Sequence, residues 1–304
     1  MSDSKKILLI GGTGFVGKKI AAQLVTNGYE VIVPTRFPAH AKELSVLPRL
    51  KLVPADVHNP QALAQLMSGL SQGDAVINLV GILHDRPGVP YGKNFAKNHV
   101  ELTRSIVQAL KQANLTRYIH MSALGADSQG PSMYQRSKGD AEQIVKQSGL
   151  RWTIFRPSVI FGRDDRFINL FATLLKFAPL MPLAGYHAKF QPVSVHDVAK
   201  VFVMALSDER TVHQAYDLAG PHTYRLSDLV RFAGKMSGIS RPVVPLPNCV
   251  GKIQAFFIEK MPGPTLMSRD NIDSMKVDNI LPGDGNPIRD VFGFEPEPLE
   301  SLLR

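Results

Sequence analysis

Between Ile7 and Arg36 the chain reads ILLIGGTGFVGKKIAAQLVTNGYEVIVPTR. An uncharged apolar run breaks into glycines, and apolar residues then recur at Ile20, Leu24 and Val25, the spacing of one helical face. After Asn27-Gly28 the segment YEVIVPTR turns apolar again. The pattern predicts strand, tight turn, helix, strand. KLVPAD, DAVINLVG, RYIHMSA and RWTIFRPSVI read as further buried strands, and PQALAQLMSGL, NHVELTRSIVQALKQANL and YQRSKGDAEQIVKQSG as the helices between them. Such alternation builds an α/β fold around a doubly wound parallel sheet with right-handed crossovers. Its ligand crevice lies at the carboxyl ends of the strands.

After Pro157 the regularity loosens. An apolar helix interrupted by prolines follows, then two segments that read as returns to the sheet, FQPVSV and AYDLAG, and a tail rich in Pro and Gly containing PVVPLPN, MPGPT and LPGDGNP. We divide the chain into a nucleotide-binding domain over 1–160, its sheet completed within 190–220, and a smaller cap region over 161–304.

The glycines carry the first chemistry. Gly11, Gly14 and Gly17 stand as G-x-x-G-x-x-G at a strand-to-helix turn, where a missing Cβ lets backbone amides approach a diphosphate and the helix start adds partial positive charge. The backbone of Gly11, Thr13, Gly14, Phe15, Val16 and Gly17 is the expected phosphate cradle of a Rossmann domain. About twenty residues further on, such domains place the group that reads the adenosine ribose. This chain offers Thr35 and Arg36 there. A guanidinium suits a 2′-phosphate and a carboxylate would repel it, so the pattern predicts NADP(H) in preference to NAD(H). The alternative is that Arg36 is a solvated loop residue.

Tyr134 and Lys138 stand as Y-Q-R-S-K, a spacing that puts both on one helical face. A free phenol titrates near 10, and a nearby ammonium is expected to lower it by about one to three units. Such a phenol can pass a proton during hydride transfer, and the lysine can hold a ribose hydroxyl. The pair opens the helix after RYIHMSA, on the face expected to look onto a nicotinamide ring.

These motifs together resemble the short-chain dehydrogenase/reductase superfamily in its extended and atypical branches, over nearly the whole chain. The glycines are similar to its first-turn motif, Asp56-Val57 to its adenine pocket, and NLVGI, with Leu79, Val80 and Gly81, to its segment under the nicotinamide ribose. KNHVELT resembles its N-V-x-G-T helix with Asn98 in the matching place, SMYQRSKGDAE its Y-x-x-S-K-x-x-x-E, RPSVIFG with Pro157 its R-P-x-x-x-Y-G, and QPVSVHDVA its V-x-V-x-D-V-A. The resemblance implies Tyr134, Lys138 and Ser122 as the catalytic group. Ser122 is followed by Ala123 where the family carries its helper hydroxyl, and Ser132 is a local substitute or a helix cap. Phe161 stands where many members carry Tyr. TLMSRDNIDSMKVDNI and FGFEPEPLESLL resemble the atypical branch that includes the accessory NAD(P)H-binding subunit of respiratory complex I and its bacterial relatives. That branch implies tight cofactor binding and a respiratory-chain protein partner. The wider family implies a small-molecule substrate, a sugar nucleotide or a small carbonyl compound.

The remaining features narrow the classes. Net charge is +9, which favours anionic partners, but no basic cluster interleaved with aromatics suggests nucleic acid. One cysteine, Cys249, excludes an internal disulfide and fits a reducing compartment. The first strand begins directly after MSDSKK, so we expect no secretory leader and a cytoplasmic protein, with a peripheral place at the inner membrane as the alternative. FINLFATLLKFAPLMPLAGY is broken by Lys176, Pro179 and Pro182, and no transmembrane segment is expected. None of the nine histidines falls in a metal-ligand motif, so no metal site is expected. His196-Asp197 is expected to tie a loop to the sheet. The stripe Phe167, Phe171, Leu174, Leu175, Phe177 reads as core, with an apolar substrate wall as its functional alternative. Arg163 to Arg166 reads as a solvated turn or a holder for an anionic substrate group.

Overall fold

Seven parallel strands run in the order β3-β2-β1-β4-β5-β6-β11 in a computed structural model that describes residues 4–177, 179–260 and 267–303. The strands are β1 (Lys6–Ile10), β2 (Glu30–Thr35), β3 (Leu50–Pro54), β4 (Ala75–Asn78), β5 (Arg117–Met121), β6 (Arg151–Pro157) and β11 (Gln214–Leu218). The order reverses beside β1, where β4 returns to its other edge. That switch point opens the crevice directly beyond the glycine turn.

Alternate residues of β1 show why both faces are covered. Ile7 and Leu9 pack with α1 (Phe15–Thr26) and α7 (Val195–Met204), whereas Leu8 and Ile10 pack with α2 (Pro60–Ser68), α4 (Leu102–Gln112) and α5 (Met133–Lys146). A strand buried on both faces needs an unbroken apolar run, and KILLI supplies one. The helix leading into α4 starts as α3 (Lys93–Phe95) and widens into a π-turn over Ala96–Glu101. This extra residue re-aims the side chains that precede α4.

The carboxyl-terminal part has its own apolar cluster. It joins Phe161 of β7 (Ile160–Phe161), residues of α6 (Phe167–Phe177), Met181 and Leu183 of β8 (Met181–Ala184), α8 (Leu226–Met236) and Val243 of β13 (Val243–Leu246). Phe171 and Leu175 are buried there, so the stripe on α6 is core apart from the exposed Phe177. FQPVSV does not return to the large sheet. Pro192, lacking an N–H, separates β9 (Lys189–Phe190) from β10 (Val193–Ser194), which pair with β12 (Tyr224–Arg225) and with β7 respectively. AYDLAG does return, as β11 beside β6. RWTIFRPSVI, expected as one strand, is divided after Pro157 into β6 and β7.

The tail adds α9 (Asn248–Ile258), α10 (Arg269–Ser274) and α11 (Pro287–Asp290). Of its expected motifs, MPGPT and the first two residues of TLMSRDNIDSMKVDNI lie outside the described residues. Asp197 accepts the Glu297 amide at 2.7 Å, so this side chain holds the tail against α7 rather than a loop against the sheet. Asp165 is buried and accepts the Ile168 amide at 2.6 Å, which makes it a helix cap and not part of a solvated turn.

Candidate functional site

The glycine turn is shaped by contacts that forbid side chains. Gly11 has φ +83°, and a Cβ there would lie 3.2 Å from Leu79 C and Val80 N. At Gly17 a Cβ would fall on the Gly11 carbonyl and 2.6 Å from Gly12 Cα, so this glycine lets α1 pack onto the turn. Gly14 is different: it is exposed, caps α1 without a side-chain hydrogen bond, and a Cβ there would meet only the Gly11 carbonyl at 3.4 Å. The amides of Phe15, Val16 and Gly17 therefore start the helix without a side-chain partner, and the first turn carries no acid. That is an anion-binding helix end. Phe15 packs on Gly162, where a Cβ would come within 2.9 Å of its ring, tying RPSVIFG to the cradle.

Thr35 and Arg36 stand at the end of β2. Thr35 Oγ1 accepts the Phe37 amide at 3.2 Å, and the exposed Arg36 lies 5.7 Å from the Phe37 ring centroid. Arg36 makes no ion pair among the described residues. Asp56 Oδ1 accepts the His58 amide at 3.1 Å in the turn that also contains Val57. Leu79 continues β4 by donating to Ile10 O at 2.9 Å, and Val80 donates to Asn78 Oδ1 at 3.1 Å.

Beyond β5, Ser122, Ser132, Ser137 and Lys138 are buried and Tyr134 is half-buried. Lys138 Nζ donates to Met121 O at 3.1 Å and lies beneath Gly81, where a Cβ would be 3.2 Å from it. Burial pushes the Lys138 ammonium down to about 8, against the opposing pull of Glu142. Tyr134 meets Phe95 and His99 edge-on, with centroids 6.0 and 5.8 Å away. Its pKa is pushed up to about 12 by burial. The expected lowering by Lys138 is not met, because the ammonium is held by the Met121 carbonyl and desolvation outweighs it. Ser122 Oγ is buried and lies near the Glu142 carboxylate, which it helps to keep ionised. Ser132 is the N-cap of α5: its Oγ accepts the Gln135 amide at 3.1 Å in a capping box, so it is no substitute helper hydroxyl. Pro157 O accepts the Leu124 amide at 3.0 Å and so joins the ends of β5 and β6.

Two side chains here escaped the sequence reading. The first is His99. Asn98 turns outward and donates to Asn94 O at 2.8 Å, whereas His99 is 1% exposed and accepts the Ile82 amide on Nε2 at 3.0 Å. Burial, with lesser repulsion from Lys138 and His120, pushes the imidazole down to about 2. A neutral ring accepting at Nε2 carries its proton on Nδ1, which donates to Ser137 Oγ at 2.8 Å, and that hydroxyl donates to Tyr134 O at 2.9 Å. The loop under Gly81 is thus tied to the first turn of α5. The signal was available, since H-V-x-x-T fits the spacing of N-V-x-G-T from His99 and not from Asn98. The second is Asp270, whose carboxylate accepts the Met133 and Tyr134 amides at 2.6 and 3.1 Å. It comes from α10, and no local pattern announces it.

Among the described residues no cluster of three or more His, Cys, Asp or Glu could hold a metal, and no helix is long and apolar enough to cross a membrane.

A parallel sheet whose first strand turns through a glycine-rich loop into an uncapped helix defines a dinucleotide-binding α/β protein. A family model described as NAD(P)H-binding matches residues 11–209. The chain is 31% identical, over 96% of its length and 77% of the relative's, to the mitochondrial "NADH dehydrogenase [ubiquinone] 1 alpha subcomplex subunit 9" of Mus musculus. It is 25% identical to the NAD(P)H azoreductase of Xenophilus azovorans, over 78% of this chain and 75% of that one. Among solved structures, the dTDP-glucose 4,6-dehydratase of Streptomyces venezuelae superposes with a TM-score of 0.75 at 20% identity, covering 98% of this chain and 94% of the other. The chain belongs to the NAD(P)H-binding family, and its fold and motifs fit the extended branch of the short-chain dehydrogenase/reductase superfamily.

Proposed function

We propose that this protein binds NADP(H) in the cradle of Gly11, Thr13, Gly14, Phe15, Val16 and Gly17, and uses it to reduce or rearrange a small uncharged group held against Tyr134. The observation that carries this reading is the uncapped start of α1 behind a glycine-rich loop, with a guanidinium that makes no ion pair among the described residues just past the end of the neighbouring strand. The surroundings support it: Leu79 and Val80 lie against Gly11, Lys138 lies against Gly81, Thr35, Asp56, Val57 and Pro157 stand at or just past the ends of β2, β3 and β6, and Asn98 is on the π-turn before α4. When bound, the nicotinamide ring supplies or accepts a hydride. The residues do the rest. Tyr134 holds a proton at its phenol oxygen for the substrate oxygen to take, as any phenol does at neutral pH, and burial raises its pKa further. Lys138 steadies a ribose hydroxyl, and Ser122, the third member that the family resemblance implies, would have to turn its buried hydroxyl from Glu142 to reach the substrate oxygen. A small carbonyl compound or a sugar nucleotide fits this chemistry.

Replacing Arg36 with Ala is expected to weaken NADPH roughly tenfold or more, the worth of a charge-assisted hydrogen bond, and to leave NADH nearly unchanged. Equal losses in parallel fluorescence titrations would overturn the assignment of Arg36 to the phosphate. For turnover, NADPH oxidation is followed across carbonyl compounds and sugar nucleotides. Tyr134→Phe is expected to lower any rate found by roughly 10²–10⁴, the worth of a positioned proton donor.

A second reading is a static cofactor in an accessory subunit at the inner membrane. It draws on the likeness to the mouse NADH dehydrogenase subunit and on a phenol packed between Phe95 and His99 without a hydrogen bond among the described residues. Here NADPH at a hundred times its Kd would still add ~2.7 kcal/mol to stability. No turnover in wild type or Tyr134→Phe, with recovery of NADH dehydrogenase subunits in a pull-down, would decide for it.

A further inference from the structure

The cap region is strongly asymmetric in charge. From Phe167 to His196 and from Leu229 to Ile258 the chain contains no Asp or Glu, yet it carries Lys176, Lys189, Arg231, Lys235, Arg241 and Lys252. The fold brings parts of these two segments together: α6 and α8 share the carboxyl-terminal core, and β8 pairs in parallel with β13. Between them lies a cleft of about 370 Å³, within the size range of ligand pockets. Its floor is aliphatic, with Leu175, Val230 and Val243 buried and Ile239 half-buried. Its rim holds the exposed Arg231, Lys235 and Arg241, and no acid lines it among the described residues. Arg231 is paired with Asp228 at 3.0 Å, and Lys189 and Lys252 are paired with Asp278 and Asp273. Lys176, Lys235 and Arg241 make no ion pair among the described residues. Two large apolar side chains stand out at the same edge. Leu175 lines the cleft, and two residues later Phe177, at the end of α6, is 83% exposed. The Met181 amide donates to Pro242 O at 2.9 Å, which sets Leu180, 45% exposed, beside Pro242 and Arg241.

We propose that this edge of the cap docks the protein on an anionic phospholipid bilayer, with Phe177 and Leu180 entering at headgroup level and Lys176, Lys235 and Arg241 set on lipid phosphates. Single exposed apolar side chains are ordinary on a protein surface. Here they stand with unpaired cations beside an aliphatic cleft, and water suits only the cations. A bilayer with anionic headgroups suits both, because phosphates attract the cations while apolar tips enter the boundary of the acyl chains. The deformable bilayer also needs no matching pocket for Phe177, as a folded acidic partner would. No helix among the described residues is long and apolar enough to cross a membrane, so the contact is peripheral. None of these residues belongs to the glycine cradle, and docking is independent of what the cradle holds.

The test mixes the full chain with vesicles of phosphatidylcholine alone and of phosphatidylcholine with phosphatidylglycerol, and reads the bound fraction after flotation. Binding is expected to the mixed vesicles and not to the neutral ones. It is expected to fall as salt rises from about 0.1 M to about 1 M, which shortens the reach of charge from about 10 Å to about 3 Å. A cation near such a surface is worth about fivefold in affinity, so Lys235→Glu and Arg241→Glu are each expected to weaken binding roughly thirtyfold. Lys111→Glu makes the same change of net charge on the exposed side of α4 and is expected to cost less than about threefold, because separated surface charges are screened. The double variant Phe177→Ser, Leu180→Ser is expected to lose about tenfold or more, the worth of a large apolar side chain taken from water. Equal losses in Lys235→Glu and Lys111→Glu, undiminished binding of the double variant, equal binding to neutral vesicles, or no binding to either overturns the proposal. Complete displacement by glycerol 3-phosphate, at an ionic strength that leaves binding intact, would mark a site for a free phosphate and overturns it as well. The substituted residues are exposed and lie outside the apolar clusters, so thermal unfolding is expected to be unchanged and confirms that each variant is folded.

Discussion

Gly14→Asp is expected to abolish the uptake of both nicotinamide dinucleotides while leaving the protein as stable as before, or slightly more so. The two halves of this outcome have separate causes. Gly14 is the N-cap of α1 with an extended backbone, φ −76° and ψ 172°, which any residue adopts. An aspartate there can accept the free first-turn amides, and as a cap it exceeds glycine by a few tenths of a kcal/mol. Those same amides face the position proposed for the diphosphate. A carboxylate about 4 Å from a phosphate near a protein surface is repelled by about 4 kcal/mol, roughly a thousandfold in affinity. Gly14→Ala separates charge from bulk, because its methyl would meet only the Gly11 carbonyl at 3.4 Å. It is expected to lose far less. Calorimetric titration with NADPH and NADH, beside thermal unfolding of each variant, reads both quantities. Retained affinity in Gly14→Asp would mean that the cradle is not the phosphate site.

The second large effect falls on stability. Glu142 is 2% exposed and receives Arg156 Nε and Nη2 at 2.7 and 2.6 Å, with Lys146 Nζ 3.0 Å away. Burial alone would raise the Glu142 carboxyl, but the Arg156 guanidinium overrides it and the net displacement is downward. Arg156→Met leaves this buried carboxylate with only the half-buried Lys146 as ionic partner, which is expected to cost about 3 kcal/mol in urea unfolding at neutral pH. The pH dependence has a definite sign. In wild type the folded pKa lies below the unfolded value of about 4.3, so the stabilisation is complete above that value and is lost as pH falls through the folded one. In Arg156→Met the same carboxyl is left nearer to neutral, with its pKa raised by burial. Acidification then relieves the variant while it weakens wild type, so the deficit narrows between pH about 7 and about 4. A deficit that stays constant over that range would show that lost packing, not the ion pair, is responsible.

The two variants probe different kinds of information. The cradle around Gly14 is a local object: one strand, one turn and one helix, contiguous in sequence, with a spacing that backbone geometry demands. It was legible for that reason, and so were the alternation of strands and helices and the Tyr134–Lys138 face. The neighbourhood of Tyr134 is not local. Its helix start is capped by Asp270, more than a hundred residues away, and its carbonyl is reached through Ser137 by His99 across a π-turn. The expectation of a depressed phenol pKa failed for the same reason: spacing places Lys138 on the correct face, but only the packed site decides whether charge or desolvation prevails.

FQPVSV shows the same division at the level of the fold. Its apolar pattern suited a strand, and Pro192 showed where that strand would break, but the partners of the two halves depend on segments far along the chain. By itself the sequence determined the parallel sheet, the glycine turn and the basic residue that follows β2, because periodicity and the absence of Cβ act within a few residues. Tertiary structure alone decided the upward direction of the Tyr134 pKa, the inward turn of His99 and the cap from Asp270, because burial and capping partners are set by chain segments that meet only when the fold closes.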